Sequence, residues 1–192
     1  LGRPVRQNDP RAGMAAGMGY VPDDRKKDAL LLTRGIRPNL SLPWMPFGKF
    51  TRYGVLDVRT EKAMARKSCN DFAIRAPSTE FPVVQLSGGN QQKVVLARWF
   101  ALRPKVVILA EPTRGIDVGA KSEIYGFMQD MAEQGTGIIM ISSEMPELLG
   151  VADRILVMYQ GQLCGEFDPG DSGEEEIAHV VCIGEMKAAG VC

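Results

Sequence analysis

Cysteine and histidine are scarce in this sequence. Its 192 residues include four cysteines and one histidine, His179. The cysteines, Cys69, Cys164, Cys182 and Cys192, form no C-x-x-C pair. This scarcity argues against a structural zinc site, and the scattered positions argue against a disulfide framework. We therefore expect a chain that works in a reducing cytosol and binds no metal through its thiols.

Net charge and long apolar runs are also absent. Lysine plus arginine equals aspartate plus glutamate at 23 each, so the formal net charge is zero. No overall positive field draws the chain to nucleic acid. No apolar run reaches the roughly 18 residues of a membrane span, and no signal peptide is visible. We expect a chain that does not bind nucleic acid and that reaches a membrane only through a partner.

The sequence does contain strand-like and helix-like segments in alternation, which is typical of an α/β fold with a mostly parallel sheet. "GMGYVP", "KVVILA" and "GIIMIS" are strand-like, and helical periodicity fills the segments around them. "RILVMYQGQLCGEF" predicts a β-hairpin that turns at Gln160 and Gly161, with a short helix after it. The less regular residues 24–85 predict a helical subdomain with a helix from Thr60 towards Ile74. In their midst, the basic run Arg25, Lys26 and Lys27 is interpreted as solvated.

The stretch "LSGGN", called here the double-glycine turn (residues 86–90), precedes an apolar helix. Two adjacent glycines leave backbone N–H groups unshielded at a helix start, and the hydroxyl of Ser87 lies beside them. These donors and the helix dipole suit a phosphate group. The alternative is a serine-capped turn whose glycines serve tight geometry alone.

Glu111 follows the strand-like run and opens the acidic loop (residues 111–117). In α/β folds, ligands bind at the carboxyl ends of strands. A carboxylate there can orient or deprotonate a water that attacks a phosphate. Glu111 is therefore a candidate catalytic residue. The alternative is a loop carboxylate held by backbone N–H groups or by Arg114.

These motifs together resemble the ATPase subunits of ABC transporters. "LSGGNQQKVVLARW" resembles their signature motif, "VVILAEPTRGIDVGAK" their Walker B strand and D-loop, and "ISSEMPELLGVADRILVMYQGQLCGEF" their switch region and closing hairpin. Together with "GYVPDDRK" upstream, the residues of these motifs are similar to those in the C-terminal cassette of ribose, xylose and galactose importers. The resemblance implies a partial P-loop NTPase-like cassette over residues 1–192, with the signature, Walker B, D-loop and switch in residues 86–192.

The resemblance also implies roles for matching residues. Ser87, Gly88 and Gly89 would contact the γ-phosphate of an ATP held by a facing cassette, with Gln91 close by. Glu111 would be the catalytic glutamate.

Two further aspartates match family positions. Asp117 would be the D-loop aspartate that crosses the cassette interface. Asp23 falls where other cassettes carry the Q-loop glutamine beside the permease.

Three departures from the family pattern limit what these residues do alone. No G-x-x-x-x-G-K-[ST] occurs in them, so the phosphate cradle is absent. Ala110 stands where the Walker B aspartate would help hold Mg²⁺, and Ser143 stands where the switch histidine would be. The sequence opens on Leu1 like the middle of a protein, so we expect a fragment of a longer chain. If residues precede Leu1 in the parent protein, the cradle would lie among them, whereas the alanine and the serine have no such explanation.

The resemblance implies an energy-coupling component of an ABC sugar importer at the cytoplasmic face of the membrane. ATP and Mg²⁺ would be held mainly by a partner cassette. The other partners would be a membrane permease and, indirectly, a periplasmic sugar-binding protein. Two alternatives stay open: a soluble ABC ATPase of DNA repair or translation, and a non-catalytic remnant cassette.

Overall fold

The computed structural model describes residues 4–6, 8–48, 50–52 and 55–183. The chain divides into two compact units, Leu1–Ile141 and Ser142–Cys192. The division into residues 24–85 and 86–192, which follows sequence motifs rather than compactness, stays a prediction.

The first unit contains a three-stranded parallel sheet in the order β1-β4-β5. Its strands are β1 (Met18–Val21), β4 (Val106–Ala110) and β5 (Gly137–Ile141). The three predicted strands and their parallel arrangement are confirmed. Val21, Val107 and Leu109 are fully buried, which explains why these β-branched and leucine residues form the centre of the sheet.

Two long helices pack in the same unit: α4 (Gly88–Phe100) and α5 (Val118–Glu133). Residues 91–98 of α4 are all buried, as its apolar character predicts. Helix α5 buries Ile124, Met128 and Met131 at helical spacing. Just beyond its end, Gly135 adopts a positive φ of 88°, which confirms the predicted stop.

The rest of the first unit contains a further long helix and several short elements. They are α1 (Pro10–Ala15), a π-helix (Arg25–Ala29), α2 (Ile36–Ser41), a 3₁₀ helix (Leu42–Phe47), β2 (Thr51–Arg52), β3 (Val55–Leu56), α3 (Val58–Asp71) and a 3₁₀ turn (Val83–Gln85). Helix α3 confirms the predicted helix but begins two residues earlier, because Asp57 accepts hydrogen bonds from the N–H groups of Arg59 and Thr60.

The second unit consists of α6 (Met145–Val151), β6 (Ile155–Tyr159), β7 (Gln162–Phe167) and α7 (Glu174–Ile183). Strands β6 and β7 form the predicted antiparallel hairpin. Gln160 and Gly161 both have positive φ, 47° and 80°, as a two-residue type I′ turn requires. Helix α7 packs on the hairpin through Ile177 and Val180.

No helix within the described ranges is both long and apolar enough to cross a membrane.

Candidate functional site

The double-glycine turn starts α4. Ser87 is the N-cap, and its Oγ accepts hydrogen bonds from Asn90 N at 3.4 Å and from Asn90 Nδ2 at 3.0 Å. The Asn90 side chain also accepts a bond from the N–H of Arg75 at 2.9 Å, which ties the turn to the segment after α3. Both bonds at Ser87 use its oxygen as an acceptor. The hydroxyl hydrogen of this exposed residue is thus available to donate outwards.

The two glycines pack differently. Gly89 is buried, and a methyl group on it would lie 2.9 Å from Cβ of Ala120 on α5. A methyl group on Gly88 would lie 2.8 Å from Nη2 of Arg25 and 3.4 Å from the carbonyl oxygen of Gly115. Close packing against α5 therefore requires a glycine at position 89, whereas the nearest atom to a methyl group on Gly88 is the end of the flexible Arg25 side chain. The tight-geometry interpretation is satisfied, and it leaves the phosphate role as a prediction.

Gln91 lies one turn into α4 and is buried, with 2% of its surface exposed. Its Nε2 donates to the carbonyl of Val83 at 3.0 Å. The side chain thus braces the segment before the double-glycine turn. Its predicted place beside a phosphate stays a prediction.

The acidic loop begins with an unusual backbone conformation. Glu111 has a φ of 47°, and its N–H donates to the carbonyl of Ile141 at 2.8 Å, continuing the contact between β4 and β5. Its own carbonyl accepts a bond from Arg114 N at 3.2 Å. Non-glycine residues in this region are strained, and such strain clusters at functional sites. The geometry is compatible with a catalytic glutamate, and this role of Glu111 stays a prediction.

Asp117 ends the acidic loop as the N-cap of α5. Its carboxylate accepts a bond from Ala120 N at 2.9 Å. Its Oδ2 lies 3.9 Å from the position of a methyl group on Gly89. The structure therefore brings Asp117 beside the double-glycine turn of the same chain, and its role across an interface stays a prediction.

Asp23 lies near the acidic loop at an exposed position. Its Oδ2 is 3.9 Å from Nη1 of Arg114, and both side chains are more than half exposed, so the pair contributes little stability. Its match to a Q-loop position stays a prediction.

Arg25 is half-buried rather than solvated, so the interpretation of the basic run is wrong for this residue. Its Nη1 donates to the carbonyl of Arg114 at 3.0 Å. Lys26 and Lys27 are exposed as expected. A run of three cations gives no sign of which one turns inwards, because the partner carbonyl lies 89 residues away in the chain.

Arg98 is a buried cation that the sequence pattern did not single out. Its Nε donates to the carbonyl of Asn39 and its Nη1 to that of Ala29, both at 2.8 Å. Burial lowers the pKa of Arg98 to about 10, which keeps it charged at neutral pH. Arg98 therefore ties α4 to the end of the π-helix and to α2.

Among the described residues, no cluster of metal-ligating side chains marks the acidic loop. Within the described part of the chain, no three His, Cys, Asp or Glu residues are grouped to hold a metal ion. The side chain of Ala110 supplies no oxygen ligand at the end of β4. A cavity of about 500 Å³ lies instead at the amino ends of β4 and β5, the opposite edge of the sheet from Glu111. It is lined by Phe100, Arg103, Pro104, Met131, Gln134 and Thr136.

Solved structures with a similar fold are ATP-binding cassettes. The cassette MJ0796, solved as a dimer bound to ADP and phosphate in a post-hydrolysis state, matches with a TM-score of 0.69 over 85% of this chain and 68% of its own, at 19% identity. The ADP conformation of the ABC-transporter cassette MJ1267 matches with a TM-score of 0.65 over 92% of this chain and 68% of its own, at 20% identity. These likenesses establish the fold, an ATP-binding cassette of the α/β class.

The family follows from sequence comparison. The ABC transporter family model matches residues 2–114, more than half of the chain. The chain belongs to the ABC transporter family.

Curated relatives are considerably longer than this chain. The ribose import ATP-binding protein RbsA 2 of Mesorhizobium japonicum is 48% identical over 92% of this chain and 34% of its own length. The xylose import ATP-binding protein XylG of Geobacillus kaustophilus is 46% identical over 92% of this chain and 34% of its own length. The chain thus spans about one third of the length of these relatives.

Proposed function

We propose that this chain is the ATP-binding, energy-coupling component of an ABC importer for a monosaccharide. One observation carries the proposal: relatives named as ribose and xylose import ATP-binding proteins align along 92% of the chain at 46–48% identity. The double-glycine turn supplies the chemistry, because it places an exposed serine hydroxyl and a helix amino terminus side by side.

The double-glycine turn would close over the γ-phosphate of an ATP bound chiefly by a partner cassette. Ser87 would donate its hydroxyl hydrogen, and the first N–H groups of α4 would add charge-assisted hydrogen bonds. Asn90 holds the Ser87 oxygen in place through its 3.0 Å bond. The turn is therefore ordered before a phosphate arrives, which lowers the entropy cost of closing over it.

The chain's own residues fit the triphosphate end of ATP but not its metal ion. Two or three charge-assisted bonds contribute about 1.5–3 kcal/mol each, against an immobilisation cost of about 4 kcal/mol or more. The most favourable of these values leave about −5 kcal/mol, so the chain alone would bind ATP with a Kd of about 0.2 mM at best, since about −4 kcal/mol corresponds to 1 mM. Because the Ala110 side chain has no ligand atom, Mg²⁺ would be held mainly by the partner cassette.

Hydrolysis would occur mainly in the composite site to which this chain contributes Ser87 and the two glycines. Bound ATP supplies the phosphoanhydride bond whose cleavage lets the closed cassettes reopen. Glu111 faces the other composite site, where Ala110 weakens the metal site, so its contribution to turnover is expected to be the smaller one. This arrangement explains how Glu111 can be present at the end of β4 although Ala110 replaces the Walker B aspartate.

The partners that fit this role are a second cassette, within the same full-length protein, and a membrane permease. A periplasmic sugar-binding protein would take part indirectly through the permease. The protein would lie at the cytoplasmic face of the membrane as a peripheral component.

The test is Ser87→Arg in the full-length protein assembled with its permease. We expect a loss of ATPase activity and sugar uptake of about tenfold or more, because each charge-assisted bond of 1.4 kcal/mol or more is a factor of ten. Glu111→Gln is expected to slow turnover by much less than twofold, because its site contributes the smaller share of turnover. ATP turnover and uptake of labelled sugar are the measurements.

Ser78→Arg is the matched control. Ser78 is also exposed and lies in the same unit, outside the double-glycine turn. If Ser87→Arg retained the activity of Ser78→Arg, the proposed function would be wrong.

A further inference from the structure

The guanidinium of Arg25 lies between the double-glycine turn and the acidic loop. Its Nη1 donates to the carbonyl of Arg114 at 3.0 Å. Its Nη2 lies 2.8 Å from where a methyl group on Gly88 would be. One side chain, from a segment more than sixty residues earlier, therefore contacts both segments that carry the proposed nucleotide chemistry.

The same two segments also touch each other directly. Methyl groups on Gly88 and Gly89 would lie 3.7 Å and 3.9 Å from side-chain carbons of Ile116, which is buried. Ala120, at the start of α5, leaves no room for a side chain on Gly89. The two segments are therefore close neighbours, and Gly89 has no space for a side chain between α4 and α5.

Placing the Arg25 guanidinium here costs part of its hydration free energy. Burial lowers the pKa of Arg25, and the charge of Asp24 only partly opposes this effect. The Asp24 carboxylate is already occupied as the cap of the π-helix, accepting from the N–H groups of Lys26 and Lys27 at 3.1 Å. The Arg25 Nε is buried and makes no hydrogen bond within the described ranges. A half-desolvated cation with so few hydrogen-bond partners adds little to the stability of the fold. This favours a role in positioning the segments that it contacts.

We infer that Arg25 is a positioning residue that fixes the position of the double-glycine turn relative to the acidic loop. Ser87 and Asp117 are thereby presented to the partner cassette together. The consequence for nucleotide rests on the proposed function, whereas the mechanical link between the two segments does not. Arg25 also extends from the π-helix whose other end, the Ala29 carbonyl, is bound by Arg98. The π-helix is thereby fastened at both ends to contacts of α4.

The first test measures hydrogen exchange in the full-length protein, with Arg25→Ala compared with wild type. We expect the amides of residues 88–91 and 115–117 to exchange about tenfold faster or more, because local opening becomes easier. The amides of Val107 and Leu109 in β4 should keep their protection. Lys27→Ala is the matched control, since Lys27 is an exposed cation in the same π-helix, and it should change neither segment.

The second test measures ATP turnover in the same variants. Arg25→Ala should raise the KM for ATP about tenfold with a smaller change in kcat, because ordering of the turn is needed for closure rather than for bond cleavage. Arg25→Lys keeps the cation and one donor, so it should restore part of the affinity.

A double-mutant cycle distinguishes loss of the contact between Arg25 and Gly88 from a general loss of folding. Gly88→Ala should destabilise the protein more in the presence of Arg25 than in the Arg25→Ala background, where the Nη2 group is gone. Equal costs in both backgrounds, or unchanged exchange in Arg25→Ala, would overturn the inference. A wild-type protein without ATPase activity, but with the expected exchange pattern, would remove the proposed function and leave the role of Arg25 intact.

Discussion

At the scale of single residues, close packing near the site decides which glycines can be replaced by a larger residue. Gly89 belongs to α4, where an alanine would ordinarily favour the helix by about 0.5–1 kcal/mol. The position of its missing methyl group is nonetheless 2.9 Å from Cβ of Ala120, an atom fixed by the backbone of α5. Gly126, within α5, is a glycine with nothing within 4 Å of its added methyl group. The two glycines therefore respond oppositely to the same change.

We predict that Gly89→Ala destabilises the protein by about 1–3 kcal/mol, the usual cost of overpacking. Gly126→Ala, the matched control, should stabilise it by about 0.5–1 kcal/mol, because a flexible helical position becomes more rigid. Urea unfolding of both variants gives the two free energies. A stabilised Gly89→Ala would show that α4 and α5 are not in the contact described.

At the scale of elements, α4 acts as the common attachment for the first unit. Its Lys93 pairs with Glu123 of α5 and donates to the carbonyl of Ala73 at 3.3 Å, and its Arg98 binds Ala29 and Asn39. Each of these polar residues is buried among apolar ones and reaches a different segment. The double-glycine turn is thus the end of a helix held along most of its length, and its position is determined by those attachments.

A second attachment joins α2 to the loop before α4. Arg37 Nε and Nη2 donate to the two oxygens of Glu80 at 2.7 Å and 3.0 Å, and Arg37 also pairs with the buried Glu61. Hydrogen bonding from Arg37 lowers the pKa of Glu80 below its ordinary value of 4.5. A carboxylate with a lowered pKa in the folded state stabilises the protein above its unfolded pKa, and this contribution is lost as pH falls through the folded value.

We therefore predict that Glu80→Gln lowers the thermal midpoint at pH 7, and that the difference from wild type shrinks once pH drops below about 4.5. Midpoints measured by circular dichroism at several pH values check this. Asp153→Asn, at an exposed carboxylate in the second unit, serves as the control for removing a surface carboxylate. A difference that persisted unchanged at pH 3 would mean that the charge of Glu80 is not what stabilises the pair.

The elements that the sequence predicted are those whose signals are local. The β-branched run of β4 and the helical spacing in α5 depend on neighbouring residues, so pattern alone finds them. Residues 30–85 are different, since their order comes from bonds between distant residues, such as Arg98 to Asn39 across 59 positions. The inward turn of Arg25 was missed for the same reason. Of the candidate site, the motif positions were predictable, and their mutual packing was not.

On the scale of the whole molecule, one face of the parallel sheet is largely exposed among the residues that the structure describes. Tyr20, Ile139 and Ile141 are each more than half exposed, while Leu109 on the opposite face is fully buried. Ile108 on the central strand pairs in register with Tyr20 on one side and with Ile139 on the other, so these apolar residues form a row across three strands. Contiguous apolar surface of this kind promotes association.

We predict that Ile139→Thr reduces self-association of this chain and its binding of a hydrophobic dye, with a change in stability of about 0.5 kcal/mol or less, because threonine keeps the strand preference. Leu109→Thr, on the buried face, should instead destabilise by several kcal/mol. Light scattering and dye fluorescence at increasing concentration are the measurements. Undiminished association of Ile139→Thr would place the contact elsewhere.

The pairing of Met18 with Val106 determines when the parallel sheet can form during synthesis of the chain. Roughly ninety residues separate the two, and a ribosome adds about 5–20 residues per second, so β1 emerges about 4–18 seconds before its neighbour β4 exists. During that interval β1 has no strand to join, whereas α2 and α3 can form beside it. Strand β5 arrives only about thirty residues after β4, so the sheet is completed quickly once its central strand leaves the ribosome.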